Sequence, residues 1–496
     1  MNSVAIYADW DGLASPLRLG LLHLRSGAGR ELVEFECDAS ALEQRALRGL
    51  WLDPRLGLVA GRQYPPQDCT TFGLLSDAGP EHWGRLLIRR QFERDQRARR
   101  VDQTLRLRES GYLLGVSDYL RPGALRFRLD DAEAFLADSH GNAVPTFAQL
   151  RELEAASHAL ERDIDNTAPE SEEALRLLLA SGSALGGVRP KANVVDPDGR
   201  LWVAKFPSVH DEYDAGAWEL LLNTLARAAG LRVPVSLARR LNGNHHTFLA
   251  RRFDRSETGK RVHVASAQTL TGRSDNTLAG ANYLELARVL IEHGAQAKLD
   301  LQELWARIAF NVSVSNADDN LRNHGFVLVP GKGWRLSEAY DLNPVPNAQG
   351  LKLGVNEVDN TLDLDLVRSV APYFRVRPAT AEAIIARIGS VVAQWPKLAA
   401  SLGIPAAEQE RMADAFQHAP PILQRLSPRA LAKLEADAAP PKAAAPKSRR
   451  RAQPQDYATQ QLSFLLDAEG QGEGKGEGDT AAGGTAAEGT ASEPPA

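Results

Sequence analysis

Cysteine and methionine are scarce in this chain of 496 residues, two of each. Cys37 and Cys69 sit in no metal-ligand spacing, so neither a thiolate metal centre nor a disulfide framework organises the fold, and reduced thiols are expected. Charge of one sign is lacking as well. With 58 Lys and Arg against 63 Asp and Glu, the net charge of −5 leaves no bulk positive field for direct nucleic-acid binding. Long hydrophobic runs are missing too. No early apolar run resembles a signal peptide and none approaches the length that crosses a bilayer, which predicts a cytoplasmic protein without membrane contact. What the chain does have is length and 43% hydrophobic residues, enough for two or three domains around a large core. No internal repeat is evident.

The most informative stretch is polar. Asn316-Ala317-Asp318-Asp319-Asn320-Leu321-Arg322-Asn323 follows an apolar helix marked by Leu301, Leu304, Trp305, Ile308, Ala309 and Val312 at helical spacing. After it, Gly325 to Val329 reads as a strand, Pro330-Gly331-Lys332-Gly333 as its turn and Trp334-Arg335-Leu336 as the return, ahead of Asp341. Asp318 and Asn323 have the separation of the Asp and Asn in a protein-kinase catalytic loop. There the Asp accepts the proton of the attacking hydroxyl and the Asn holds magnesium. A hairpin brings its ends side by side, so Asp341 can reach the same metal. The plainer reading is a solvated Asn/Asp turn after a helix.

A second cluster lies upstream. Ser181-Gly182-Ser183-Ala184-Leu185-Gly186-Gly187-Val188-Arg189-Pro190-Lys191 is a glycine-rich loop leading into two strands, Ala192 to Val195 and Leu201 to Phe206, around a Pro197-Asp198-Gly199 turn. Glycines let backbone N–H groups close on phosphate oxygens, and Lys205 on the second strand can reach them as a point charge. No Gly-Lys-Ser/Thr opens a helix, so this is not a Walker A loop. A flap over the nucleotide, with the lysine on a neighbouring strand, fits better. Glu219 opens an apolar helix, Trp218 to Ala229, from which it could pair with Lys205, although the helix dipole alone also favours an acid there. The strand Thr247 to Phe253 falls where an adenine-contacting hinge belongs. The order of these parts points to phosphoryl transfer from ATP.

Together these segments resemble the HipA-type serine/threonine kinases, the toxin half of bacterial toxin–antitoxin pairs. The resemblance runs from near the N-terminus to about residue 430. It is carried by Gly186-Gly187-Val188-Arg189-Pro190-Lys191, Ala204-Lys205-Phe206-Pro207, Arg252-Phe253-Asp254-Arg255, Asn316-Ala317-Asp318 through Asn323-His324-Gly325-Phe326, and Ala339-Tyr340-Asp341-Leu342-Asn343-Pro344. It implies an α+β, two-lobed protein-kinase-like fold: a small N-terminal α+β subdomain (1–130), a kinase N-lobe with glycine-rich loop and hinge (131–254), a mainly helical C-lobe with the catalytic loop (255–435), and a disordered tail (436–496). ATP and Mg2+ are the implied cofactors. Asp318 then looks like the catalytic base, and Asn323 and Asp341 like the metal ligands. Lys205 looks like the ATP-phosphate lysine, Gly186, Gly187, Val188, Arg189 and Lys191 like the phosphate loop, and Arg251 to Phe253 like the adenine hinge. Phe72-Gly73-Leu74-Leu75-Ser76-Asp77 with Trp83-Gly84-Arg85 resembles the subdomain through which such kinases meet a HipB-like helix-turn-helix antitoxin, DNA being reached only through that partner. The implied substrate is a Ser or Thr of a cellular protein such as an aminoacyl-tRNA synthetase, modified to slow growth.

Two positions depart from the family pattern. Asn320 stands where a His is usual, two residues after the catalytic Asp; it can offer a hydrogen bond to a phosphate or metal but cannot titrate, which implies reduced or altered activity. Ala184 stands where the family's self-inactivating phosphorylation falls on a Ser, and Ser183 is the expected substitute, with Ser181 nearby. The alternative these departures open is a pseudokinase-like module that binds nucleotide and antitoxin without catalysis. A small-molecule phosphotransferase is a third reading.

Other conspicuous residues read as structural. The arginine-rich run from Arg85 to Arg100 reads as a solvated helical face. His245 and His246 read as loop residues, His263 and Ser266 as structural or substrate-side, and His324 as a hydrogen-bonding residue of its loop. Beyond Ala436 the composition shifts to Ala, Pro, Gly, Glu and Thr, too little apolar area to offset ordering entropy. A basic cluster, Lys447-Ser448-Arg449-Arg450-Arg451, and an apolar island, Leu462 to Leu466, lie in that tail.

Overall fold

The computed structural model describes residues 2–438 apart from 28–29, 45–46, 68, 130–133, 138–143, 183 and 423–425. Ser183 and the tail segments at 447–451 and 462–466 therefore lie outside the described residues. At the N-terminal end, β1 (Asn2–Ala8), β2 (Leu17–Gly27), β3 (Arg30–Cys37), β4 (Arg62–Gln63) and β5 (Leu125–Leu129) form an antiparallel sheet ordered β4-β3-β2-β1-β5. Alternate residues such as Val4, Ile6, Val33, Phe35 and Phe127 enter one core from this sheet. Neither Cys37 nor Cys69 is in a disulfide.

Three helices, α1 (His82–Arg97), α2 (Leu150–Arg162) and α3 (Glu170–Gly182), cover a second sheet. It comprises β6 (Lys191–Val195), β7 (Leu201–Lys205), β8 (Ser236–Arg240) and β9 (His246–Arg251), antiparallel and ordered β6-β7-β9-β8. Trp83, Leu87, Leu153 and Leu178 from the helices meet Val194, Ala204, Phe206 and Leu249 from the strands in a single cluster. The arginine-rich helix α1 is thus partly an inner element. Arg94, only 12% exposed, pairs with Asp163 at 3.1 Å, where a solvated face was expected. Helical periodicity gives the apolar stripe, but only the tertiary packing shows which charged residues are enclosed beside it.

Between β7 and β8 runs α4 (Ala215–Ala228), with Trp218, Leu221, Leu222 and Leu225 buried. It starts a turn earlier than expected because Asp214 caps it, accepting the Ala217 N–H at 3.2 Å. Glu219 therefore occupies the second turn and does not open the helix. Asp214 also accepts the His246 N–H at 2.8 Å and pairs with His246 Nδ1 at 2.5 Å. His246 is thus a strand residue anchoring a helix cap, which corrects its reading as a loop residue.

The C-terminal part is built on α5 (Tyr283–His293), α6 (Ala297–Ser313) and α7 (Pro378–Val392). Beside them lies a three-stranded sheet ordered β10 (Val264–Ser266), β11 (Gly325–Val329), β12 (Gly333–Leu336). Helix α6 carries buried residues on nearly every side, including Leu301, Trp305, Ile308, Phe310 and Val312, and is the central post of this part. His263 fills a buried slot between Trp10 and Trp334, with ring centroids 5.6 and 5.7 Å away, and burial pushes its pKa down to about 4. Its role is structural. Among the described residues, no helix is long and apolar enough to cross a membrane.

The approach of α4 to β9 yields a test. A Cβ on Gly216 would lie 2.0 Å from the His246 carbonyl oxygen, whereas one on Gly243 would meet nothing within 4 Å. Gly216→Ala should destabilise the fold by roughly 1–3 kcal/mol, measured by urea unfolding. Gly243→Ala serves as the control and should leave the midpoint unchanged.

Candidate active site

Strand β7 ends at Lys205, and its ammonium donates to two carboxylates at once. Nζ lies 2.6 Å from Glu219 Oε1 on α4 and 2.6 Å from Asp341 Oδ1 on the segment after β12. Lys205 and Glu219 are 16% and 7% exposed, while Asp341, at 43%, opens to solvent on its other side. Burial alone would lower the Lys205 pKa, but Asp341 and Glu219 outweigh it and hold the amine above the usual lysine range. The same Lys205 charge holds Asp341 down at about 2, whereas burial pushes Glu219 up despite its lysine partner. Asp341 has φ 60°, a left-handed backbone that a non-glycine residue adopts at a cost.

The loop after α6 is laced to the Asp341 segment. Asn316 Oδ1 accepts the Asn343 N–H and the Ser315 carbonyl accepts the Val345 N–H, both at 2.9 Å. The Tyr340 hydroxyl donates to the Arg322 carbonyl at 2.7 Å. Within the loop the two adjacent acids diverge. Asp319 is buried and accepts from Asn311 Nδ2 at 3.1 Å and from the Tyr283 hydroxyl, with His324 Nε2 at 2.8 Å. Asp318 is 64% exposed and pairs with Lys352, whose own N–H donates to the Ala317 carbonyl at 2.9 Å. Asn320 Oδ1 accepts the Arg322 N–H at 2.9 Å, and the amide groups of Asn320 and Asn323 both donate to the Asp318 carbonyl at 3.3 Å. Asn320 has both ends of its amide engaged inside the loop, so it helps hold the turn. Asn323 keeps its side-chain oxygen as the end that can meet a cation.

The glycine-rich loop joins α3 to β6. Lys191 Nζ donates to the Gly186 carbonyl at 2.5 Å, and burial, aided by the Lys205 charge, lowers its pKa to about 8. Arg189 makes a two-pronged bond to Asp211 at 2.5 and 2.6 Å, while Val188 at the tip is 78% exposed. Gly187 has φ 72° and donates its N–H to Glu81 Oε2 at 2.9 Å. A Cβ on Gly186 would sit 2.5 Å from that same carboxylate. Ala184 and Ser181 are buried, and the Ser181 hydroxyl donates to the Leu177 carbonyl at 3.0 Å. At the expected hinge, Arg251 pairs with Glu257 at 3.0 Å, and the Phe253 ring stacks on Tyr340 with centroids 5.7 Å apart.

Lys205, Glu219, Asp341, Lys191 and the 315–324 loop are thus tied into one region by direct contacts. Sequence reading missed Asp319, Lys352 and Glu81. Asp319 had a signal in its place beside Asp318. Lys352 and Glu81 had none, because their partners lie far away along the chain. Among the described residues, no group of three or more His, Cys, Asp or Glu forms a metal cage. One carboxylate and one amide oxygen suit a cation that completes its shell with phosphate oxygens.

The four-stranded sheet with its lysine strand, the helix bearing Glu219 and the helical second part define a protein-kinase-like fold. Residues 183–395 match the family model of the HipA-like C-terminal domain. "Putative kinase Y4dM" of Sinorhizobium fredii is 30% identical over 166 residues, 31% of this chain, and the chain spans 39% of that relative's length. The HipA, HipB and operator DNA complex of Shewanella oneidensis MR-1 contains a chain that superposes with a TM-score of 0.52 at 16% identity, covering 85% of this chain and 94% of that one. At that identity the likeness is one of fold.

The Lys205–Asp341 pair should respond to acid in a defined direction. The folded pKa of Asp341 lies below the unfolded value of about 3.9, so its contribution to stability is complete above that pH and is lost as pH falls toward about 2. Urea midpoints of wild type and Asp341→Asn should differ at pH 6 and converge as pH falls from about 4 toward about 2.

Proposed function

We propose that the protein is an ATP-dependent serine/threonine kinase, acting as the toxin of a HipA/HipB-like toxin–antitoxin pair. The observation that carries this reading is Lys205 held 2.6 Å from both Glu219 and Asp341. A lysine fixed by a helix glutamate and facing a cleft aspartate suits a nucleotide's phosphates together with their metal. Mg2+ would be held by Asp341 and Asn323 and would neutralise charge building on the phosphates. Lys205 and Lys191 add positive charge on the nucleotide side. Asp318, exposed on the laced loop, is the base that orients the acceptor hydroxyl and takes its proton as the γ-phosphoryl group moves from ATP to that oxygen, with ADP as the leaving group. Lys352 neutralises Asp318 until a hydroxyl arrives.

The HipA-like domain match and the likeness in fold to a HipA solved with HipB and DNA support a helix-turn-helix antitoxin as partner. The acceptor is a Ser or Thr on a cellular protein, with an aminoacyl-tRNA synthetase the kind of target that slows growth. Asn320 does not argue for an inert module, because in this loop the side chain serves the turn and needs no titrating group.

Purified protein incubated with Mg2+, [γ-32P]ATP and a bacterial lysate should label a protein acceptor. Asp318→Ala should lower labelling by roughly 10²–10⁴-fold, and Asp341→Ala should abolish it. Both variants should relieve growth inhibition on expression while keeping the wild-type far-UV spectrum. Lys205→Ala should mainly raise the KM for ATP. Full labelling by either aspartate variant rejects the assignment.

A further inference from the structure

The contact between α1 and the glycine-rich loop has chemistry of its own. The first N–H groups of a helix have no partner inside it. In α1 those of Trp83 and Gly84 donate to the loop carbonyls of Gly187 and Leu185, at 2.9 and 3.3 Å. The Trp83 indole donates to the Lys191 carbonyl at 2.8 Å. Glu81, immediately before the helix, takes the Gly187 N–H at 2.9 Å and places its other oxygen 3.3 Å from Arg322 of the catalytic loop. Arg322 continues to Asp275 at 2.9 Å. The loop is therefore pinned from behind at both its donors and its acceptors, and one carboxylate joins it to the loop bearing Asp318.

This contact also accounts for the two glycines. Gly186 leaves room for the Glu81 carboxylate, and Gly187 for the Lys191 amine, 2.4 Å from where a Cβ would sit. We propose that Glu81 is a positioning residue for the nucleotide's phosphates. By bridging Gly187 and Arg322 it fixes the height of the glycine-rich loop above Lys191 and Lys205, so that phosphate affinity depends on the docking of α1. The inference rests on the kinase reading above. Glu81 acts through Gly187 and Arg322 and does not itself meet the nucleotide. A carboxylate occupying the phosphate position would have the opposite sign of effect, since its removal would tighten binding.

The test compares two probes, MgATP and adenosine, by calorimetry on the full chain. Glu81→Ala should weaken MgATP binding roughly tenfold, the loss of one charged hydrogen bond, and leave adenosine binding unchanged, because adenosine has no phosphates to position. Glu81→Gln keeps an acceptor for Gly187 but loses the charge facing Arg322, so it should weaken MgATP binding less. It carries the test alone should Glu81→Ala fail to fold. Arg322→Ala combined with Glu81→Ala should be less than additive. Unchanged or tighter MgATP binding, equal loss for both probes, or strict additivity overturns the proposal. A wild-type protein that binds neither probe overturns the kinase reading itself, and this inference with it.

Discussion

A buried ammonium cannot stand alone, and the arrangement of the site follows from how Lys205 is neutralised. Removing a charge from water costs several kcal/mol unless opposite charges and hydrogen bonds replace the lost hydration. Lys205 obtains both from Glu219 and Asp341, which come from a helix and from a segment beyond the last hairpin. The pairing draws the sheet, α4 and the C-terminal part onto one point. Asp341 is also the partner with an open side, so the group that helps neutralise the lysine is the one best placed to meet a cation.

The two adjacent acids of the 315–324 loop diverge in a similar way. Asp319 faces inward, and its Oδ2 is bonded by Tyr283, Asn311 and His324, which fixes the loop on α5 and α6. Asp318, one residue earlier, is left outside with a single lysine partner of its own. An inward anchor next to an outward acid lets the loop be held in place while Asp318 stays accessible, as the role proposed for it requires. Helix α1 extends the same rigidity to the glycine-rich loop, whose carbonyls cap its free N–H groups.

Much of this was legible beforehand where local pattern sets local structure. The β6–β7 and β11–β12 hairpins appear at their turns, with Gly199, Gly331 and Gly333 in the left-handed conformations those turns need. The apolar spacing along Leu301 to Val312 gave helix α6. The start of α4 was misplaced because Asp214 precedes the apolar run and caps from outside it. His246 was misread for a related reason. Its partner, Asp214, is remote in sequence and close only across the helix–strand packing.

The sequence by itself determined the kinds of element and their order, because period, turn chemistry and residue type act over a few neighbours. Only the tertiary structure decided which acid reaches Lys205, which of two adjacent aspartates faces solvent, and that Glu81 and Lys352 belong to the site at all. Electrostatic pairing and burial depend on distance in space, and a spacing read along the chain carries no record of which distant segment will supply the opposite charge.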